Sequence, residues 1–518
     1  MKSLPQLLRD SAKLHAASPA IHAGDRTVTH GEFDEASDRV AASISGWGIR
    51  KGDRVGLYCI NGDAFATAYF GILKAGATVV PLNLMLNPKE VAFILNDAGA
   101  KGLIYHELFA EAVRSIADSL SNIELRVCIG EKNPLADVLW SEVLQNVSPC
   151  PQPDLDPAKD LAAILYTAGT TGFPKGAMLT HNNLASNADS IRLALQLAPG
   201  KDVILCVLPM FHAFAATVCM IFPLLNGCSL VALPKFDPQL LADVVERHGV
   251  TVLPMVPSMF NVLLRLPDAV VAKFATVRFA ISGGAAMPVE IMRQFEAKFG
   301  KFIYEGDGPT ECSPCTCVNP IGGVRKPGTV GVCVPNVDME IRDDAGKELP
   351  LGQVGEICVK GPNVMKGYWN HPEETKASFF GSWFRTGDLG TEDADGYFTI
   401  VDRKKDMIIV NGMNVYPRIV EECLYKHPSI REAAVVGEPD ELHGEVPVAF
   451  VTLKEGTQLT PAEVRAYCRD NLGRHEVPRK AFILADLPKS AAGKILKREL
   501  RKHGELERGV DSRKPEPS

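Results

Sequence analysis

The chain has 518 residues, 46% of them hydrophobic and 23% charged, and a formal net charge of -7. A single hydrophobic core stops growing at roughly 250 to 300 residues, so at least two domains are expected. The mildly acidic balance argues against a general nucleic-acid binder, whose affinity rests on basic surface, and the composition is that of an ordinary soluble protein.

From the amino terminus, MKSLPQLLRDSAKLHAASPA carries scattered charges and no uninterrupted apolar core, unlike a secretory signal. Thr29 and Glu32 make a capping box, and Phe33, Ala36, Val40, Ala41, Ile44 and Trp47 follow at helical spacing. RVGLYCI (54–60) and ATVVPLN (77–83) read as buried strands flanking another helix, which predicts α/β architecture. LAAILYTAG, VILCVLPM, VTVLPMV and VRFAISGG repeat the pattern of a short apolar strand running into a turn residue, and in open α/β sheets sites lie at the carboxyl ends of such strands. The charge-free run between Asp202 and Lys235 is long enough to span a membrane, but Pro209, Pro223, Asn226-Gly227 and Pro234 break it into a short helix, a turn and a strand, CSLVAL. A soluble core segment is expected there.

After about residue 325 the texture shifts to period-two strands punctuated by Gly, Pro and a DDAG turn, a β-rich subdomain. The charged patch DRKKD, between two apolar strands, marks a domain boundary. Beyond it PRIVEECLYKHPSI reads as a helix, REAAVVGEPD and VPVAFVTLKEG as strands, and TPAEVRAYCRDNL as a helix capped by Thr460 and Glu463. The reading is an N-terminal domain 1–401, a hinge 402–405, a C-terminal domain 406–505 and a disordered tail 506–518, with no internal repeat. Thirteen cysteines without regular spacing suit free thiols in a reducing cytoplasm.

Two stretches suggest chemistry. In LYTAGTTGFPKGAMLTH (165–181) a buried strand runs into Thr167, Gly169, Thr170, Thr171, Gly172 and Lys175; glycines let backbone approach phosphates, and the hydroxyls and the lysine supply donors. It is not a Walker A loop, because Pro174 precedes the lysine and Gly176 follows it. In EGDGPTECSPCTC (305–317) the three cysteines could suggest a metal, but no further histidine or cysteine follows at zinc-site spacing. Cys312, Cys315 and Cys317 are instead read as small hydrophobes on the strand leaving the site. The other half of the stretch offers Thr310 as a hydroxyl donor and Glu311 as a hard oxygen ligand suited to Mg²⁺ on ATP phosphates.

YTAGTTGFPKG resembles the phosphate-binding signature of the AMP-forming acyl-CoA synthetases, the adenylate-forming superfamily shared with luciferases and peptide-synthetase adenylation domains. LPMFHAFA (208–215), SGGAAMP (282–288), GDGPTE (306–311), FRTGDLG (384–390), DRKKDMI (402–408) and LPKSAAGKI (487–495) are similar to further family motifs in the family's order, so the resemblance covers nearly the whole chain. It implies a large N-terminal domain of α/β layers with a β-rich subdomain and a small mobile C-terminal α+β domain that rotates between adenylation and thiolation. Thr167, Ala168, Gly169, Thr170, Thr171, Gly172, Lys175, Gly284, Ala285, Asp307, Gly308 and Thr310 would then contact ATP, with Thr167 and Glu311 at the metal. Asp388 resembles the carboxylate that holds the ribose hydroxyls, Arg403 the second ribose and phosphate contact, and Lys494 the lysine delivered to the anionic oxygens of the adenylation step. Lys405 occupies the hinge position, Gly412 matches the glycine that lets pantetheine pass, and His212 resembles the histidine near the acyl carboxylate. Asp307 departs from the family, most of whose members carry an aromatic residue there that can stack on adenine.

The resemblance implies a ligase joining a fatty acid to CoA through an acyl-AMP, with Mg²⁺, ATP and CoA taking part. It allows peripheral membrane contact and a homodimer, and implies no nucleic-acid partner. The apolar FAATVCMIF after His212 has no charge to greet a second polar group, which favours a fatty acid over an amino acid. An aromatic-acid CoA ligase is the alternative within the class. A catalytically inactive nucleotide-binding carrier is the alternative outside it, opposed by the joint presence of Thr310, Glu311, Asp388, Arg403 and Lys494.

Overall fold

Apolar runs too short for helices and buried on both faces make parallel strands covered by helices. The computed structural model describes residues 1–131, 135–167, 174–490 and 493–507, and four sheets lie among them. In the nine-stranded sheet the consecutive neighbours Ser229–Ala232, Val203–Cys206, Val252–Met255, Phe279–Ser282 and Ile303–Asp307 are all parallel. Their carboxyl ends therefore open along one edge of the sheet.

The two strands read near the amino terminus form as Arg54–Tyr58 and Thr78–Pro81, parallel neighbours in an eight-stranded sheet, with the helix Asp63–Lys74 between them. The helix begun by the capping box runs His30–Gly46: Thr29 Oγ1 accepts from the Glu32 amide and Glu32 accepts from the Thr29 amide. Such a cap contributes about 1 kcal/mol. Phe33, Val40, Ala41 and Ile44 are buried as the periodicity predicts, whereas Trp47 falls just past the helix end and is half exposed.

The charge-free run folds as core. Ala215–Ile221 is a π-helix that continues into the helix Phe222–Leu225, and Ser229–Ala232 is a strand; the π-helix is buried all round. No helix among the described residues is long and apolar enough to cross a membrane.

The β-rich part is a five-stranded sheet containing Asp338–Arg342, Gly355–Lys360, Trp383–Glu392 and Phe398–Arg403, paired antiparallel. The last sheet, also five-stranded, contains Ile408–Val410, Met413–Val415, Ile430–Asp440, Gly444–Leu453 and Lys480–Ile483, with the helices Pro417–Tyr425 and Pro461–Asn471 beside it. It has its own core, including Ile408, Val420, Leu424, Val435, Val451 and Val464. The Thr460–Glu463 cap forms as expected. The helix Lys497–Glu507 runs into the first residues of the stretch expected as tail, whose remainder lies outside the described residues.

Candidate active site

Sheet pairing places the phosphate side. Thr167 ends the strand Leu161–Thr167 and is the register partner of Lys175, which begins the antiparallel strand Lys175–Thr180. Ala168, Gly169, Thr170, Thr171 and Gly172, between these strands, lie outside the described residues. The described chain resumes as a strand, and Lys175 is the cation at the segment's exit. Its Nζ is 3.6 Å from Glu374 and 5.9 Å from the centre of the Tyr368 ring.

Glu311 lies in the 3₁₀ turn Thr310–Cys312, just beyond the carboxyl end of Ile303–Asp307. Its Oε1 accepts from the Tyr368 hydroxyl at 2.9 Å and lies 3.5 Å from Thr167 Oγ1. Among the described residues Oε2 accepts no hydrogen bond. One carboxylate with a free oxygen and a nearby hydroxyl fits Mg²⁺, which is bound through one or two carboxylates, phosphates and retained waters.

The turn is fixed from outside by buried asparagines. Asn187 Nδ2 donates to Cys315 O at 2.6 Å and its Oδ1 accepts from the Cys315 amide, while Asn363 Nδ2 donates to Cys312 O at 2.8 Å. Cys312 and Cys317 are buried in the hydrophobic core and Cys315 packs against it.

The glycines beside Asp307 follow from crowding by the returning chain. Gly306 and Asp307 pair antiparallel with Val318 and Cys317, and a Cβ on Gly308 would lie 1.5 Å from Pro314 O. Asp307 itself is walled in by protein, which raises its carboxyl pKa, while Arg403 and Lys494 pull it back down.

The opposite side is assembled from later segments. Asp388 and Arg403 are cross-strand register partners, and Arg403 Nε lies 3.1 Å from Asp388 Oδ1. Burial pushes Asp388 above the usual carboxylate range, and the Arg403 guanidinium opposes that shift. Lys494 reaches the same group because Ser258, just past the strand Val252–Met255, donates its hydroxyl to Gly493 O at 2.9 Å. Lys494 remains exposed to water on one side. Lost hydration and the Arg403 charge push its pKa down to about 8, while Asp388 and Asp307 hold it up. Lys405 is exposed and close enough to add a further lowering charge. Gly412 stands apart, in the tight turn between Ile408–Val410 and Met413–Val415, with open space where a side chain would be.

The third wall carries His212, beyond the carboxyl end of Val203–Cys206. Its Nδ1 accepts from the Phe214 amide at 3.3 Å, which leaves the proton on Nε2. Crowding by protein and the Lys494 charge push its pKa down to about 4, so the ring is neutral near pH 7. Gly284 and Ala285 lie on the loop after Phe279–Ser282.

Two contributors went unread in the sequence. Asn61 clasps the histidine segment, donating to the carbonyls of Leu208 and Leu233 and accepting from the Met210 amide at 2.8 Å. Tyr368 is the second. A polar residue directly after a buried strand was the available signal for Asn61; nothing local marks Tyr368.

The AMP-binding enzyme family profile matches residues 8–369, and its C-terminal domain profile matches 419–494. A long-chain-fatty-acid–CoA ligase of Bacillus subtilis is 36% identical over 526 residues, which cover 96% of this chain and 94% of that protein. A feruloyl-CoA synthase of an Amycolatopsis species is 35% identical over 493 residues, covering 95% and 97%. The crystal structure of ATP-bound MatB from Rhodopseudomonas palustris superposes with a TM-score of 0.89 at 33% identity, covering 97% of this chain and 99% of that one. With both profiles matched in order and the whole architecture shared, this chain belongs to the AMP-binding enzymes, the adenylate-forming superfamily that includes the acyl-CoA ligases.

Proposed function

We propose that the protein activates a fatty acid with ATP and transfers the acyl group to CoA. The observation that carries this reading is the position of Lys494: the last segment of the chain brings its ammonium to Asp388, Arg403 and Asp307, beside His212. A carboxylate oxygen attacks the α-phosphorus of ATP, a bond forms to give acyl-AMP, and pyrophosphate leaves. Lys494 and Arg403 face the negative charge gathered on the α-phosphate oxygens, an arrangement most effective in a partly dehydrated cleft. Asp388 accepts from the ribose hydroxyls, and His212, with its proton on Nε2, donates to the acid and orients it. Mg²⁺ held by Glu311 and Thr167 would screen the phosphates and the departing pyrophosphate.

In the second step the CoA thiol loses its proton, its sulfur attacks the acyl carbonyl, and AMP leaves. Residues 406–505 turn about the hinge 402–405, withdraw Lys494 and bring Gly412 to the pantetheine path. Lys405 lies at the pivot. The enzyme works in the cytoplasm and is compatible with peripheral membrane contact and a homodimer.

The charge-free wall Ala213–Leu224 supports an apolar acid. The feruloyl-CoA synthase relative keeps an aromatic acid as the second reading. CoA consumption measured across straight-chain and aromatic acids, with ATP and Mg²⁺, decides between them: turnover that rises with chain length supports the fatty acid, and preference for ring acids supports the second. Absence of AMP formation with every acid would sink both and favour the inactive carrier.

A further inference from the structure

We propose that Tyr368 is the positioning residue of the metal carboxylate: its hydroxyl fixes the Glu311 side chain so that Oε2 faces the cation. This rests on the reading of Glu311 as a metal ligand.

The geometry begins with the backbone. Gly367–Tyr368 pairs antiparallel with the strand leaving the phosphate segment, Tyr368 lying opposite Ala177 and Gly367 opposite Met178. The Trp369 amide donates to Gly176 O at 2.8 Å and the Lys366 amide to Met178 O at 2.9 Å, which closes the pairing on both sides. The Tyr368 amide donates to Thr375 Oγ1 at 2.8 Å, so the residue is also tied to the helix Pro372–Ala377. Three residues earlier, the Met365 amide donates to Glu311 O at 2.7 Å. One short segment thus holds both the backbone and the side chain of Glu311.

The side-chain bond selects one carboxylate oxygen. Oε1 is engaged by the Tyr368 hydroxyl at 2.9 Å, and Thr167 Oγ1, at 3.5 Å, is a weaker neighbour of the same oxygen. A carboxylate free to rotate would present either oxygen and lose conformational entropy on meeting a cation. With Oε1 held, Oε2 is presented in one orientation. Partners of this kind, bonded to a ligand and not to the metal, typically alter metal affinity by about 10- to 100-fold when removed. Lys175 Nζ also lies 5.9 Å from the ring centre, so the same segment stands beside both the carboxylate and the lysine.

Tyr368→Phe removes the hydroxyl and keeps the ring. The measurement is the Mn²⁺ dissociation constant, read by paramagnetic resonance, in the presence of an ATP analogue with a methylene between the α- and β-phosphates. The expected result is binding weakened about 10-fold or more with a thermal midpoint close to wild type. In the Glu311→Gln background the same substitution should add little, because a residue acting through Glu311 has nothing left to position. Unchanged Mn²⁺ binding in Tyr368→Phe, or full additivity with Glu311→Gln, would overturn the assignment. Wild-type protein that bound no Mn²⁺ with the analogue would overturn the metal reading of Glu311 itself, and this inference with it.

Discussion

The two sides of the site are built differently. Thr167, Lys175, Glu311 and Tyr368 are placed by strand pairing within the eight- and nine-stranded sheets and by buried asparagine clasps. Asp388 and Arg403 come from the β-rich sheet and Lys494 from the segment after the last strand; the domain that carries Lys494 touches the rest through Ser258 to Gly493 O at 2.9 Å, Asn261 to Arg431 O at 3.1 Å and Arg418 to Ile400 O at 2.6 Å. With the Arg418–Glu305 approach beside them, these are a handful of contacts, each hydrogen bond contributing about 1 kcal/mol. The phosphate side is therefore set by sheet pairing, whereas Lys494 hangs on a few loop contacts, which suits the proposal that it is withdrawn between the two reactions.

The largest test of that contrast removes the portable charge. Lys494→Ala should lower acid-dependent pyrophosphate exchange by roughly 10²- to 10³-fold or more, the scale for losing one preorganised donor, while preformed acyl-AMP still reacts with CoA. Equal losses in both reactions would make the lysine part of the fixed half. Gly412→Leu should do the reverse. Its side chain has open space in the conformer described here, so exchange persists, whereas thiolation falls by up to roughly 10²-fold if the turn moves to the pantetheine path. Backbone strain at its φ of 78° is local to that turn and is followed by the thermal midpoint.

A smaller effect is pH dependence. Lys494 must be protonated to face the phosphates, so kcat/KM for ATP should fall as pH rises through about 8. Asp307 holds that pKa up, so Asp307→Asn should move the alkaline limb to lower pH; an unmoved limb would detach the aspartate from the lysine. ATP and GTP compared on Asp307→Tyr test separately whether the carboxylate alters nucleotide choice.

The sequence carried the fold wherever local chemistry set it: both capping boxes and the parallel strands form as expected. Of the expected site residues, Asp388 and Arg403 are adjacent because they are register partners, and Gly493, beside Lys494, is tied to Ser258, whereas Gly412 stands apart. What was illegible depends on distant pairing. Tyr368 meets Glu311 across 57 positions and Asn61 meets Met210 across 149, and no spacing rule reports such contacts. Trp47 shows the opposite failure, a residue at helical spacing beyond the helix end, where periodicity no longer implies burial.

The smallest expected effect lies where the two halves touch. Glu305 is 1% exposed, its Oε1 accepts from the Met287 amide at 2.9 Å and its Oε2 has no partner among the described residues. Arg418, from the helix Pro417–Tyr425, approaches it at 3.8 Å, and Glu422 and Asp307 add negative charge nearby. Burial outweighs Arg418 and pushes the Glu305 pKa up to about 7. A carboxyl raised in the folded state binds its proton more tightly there than when unfolded. Its stability contribution is present below the ordinary value of 4.5 and is lost as pH rises through about 7. The thermal midpoint of Glu305→Gln should therefore fall less than that of wild type between pH 5 and pH 8. The competing term is the ion pair: at 3.8 Å, with Glu305 buried and Arg418 largely so, its attraction is set against the desolvation of both groups, which commonly exceeds it. A variant that loses more stability than wild type at pH 8 would show that Arg418 wins, and that the portable half is fastened to the fixed one by this pair more firmly than its hydrogen bonds suggest.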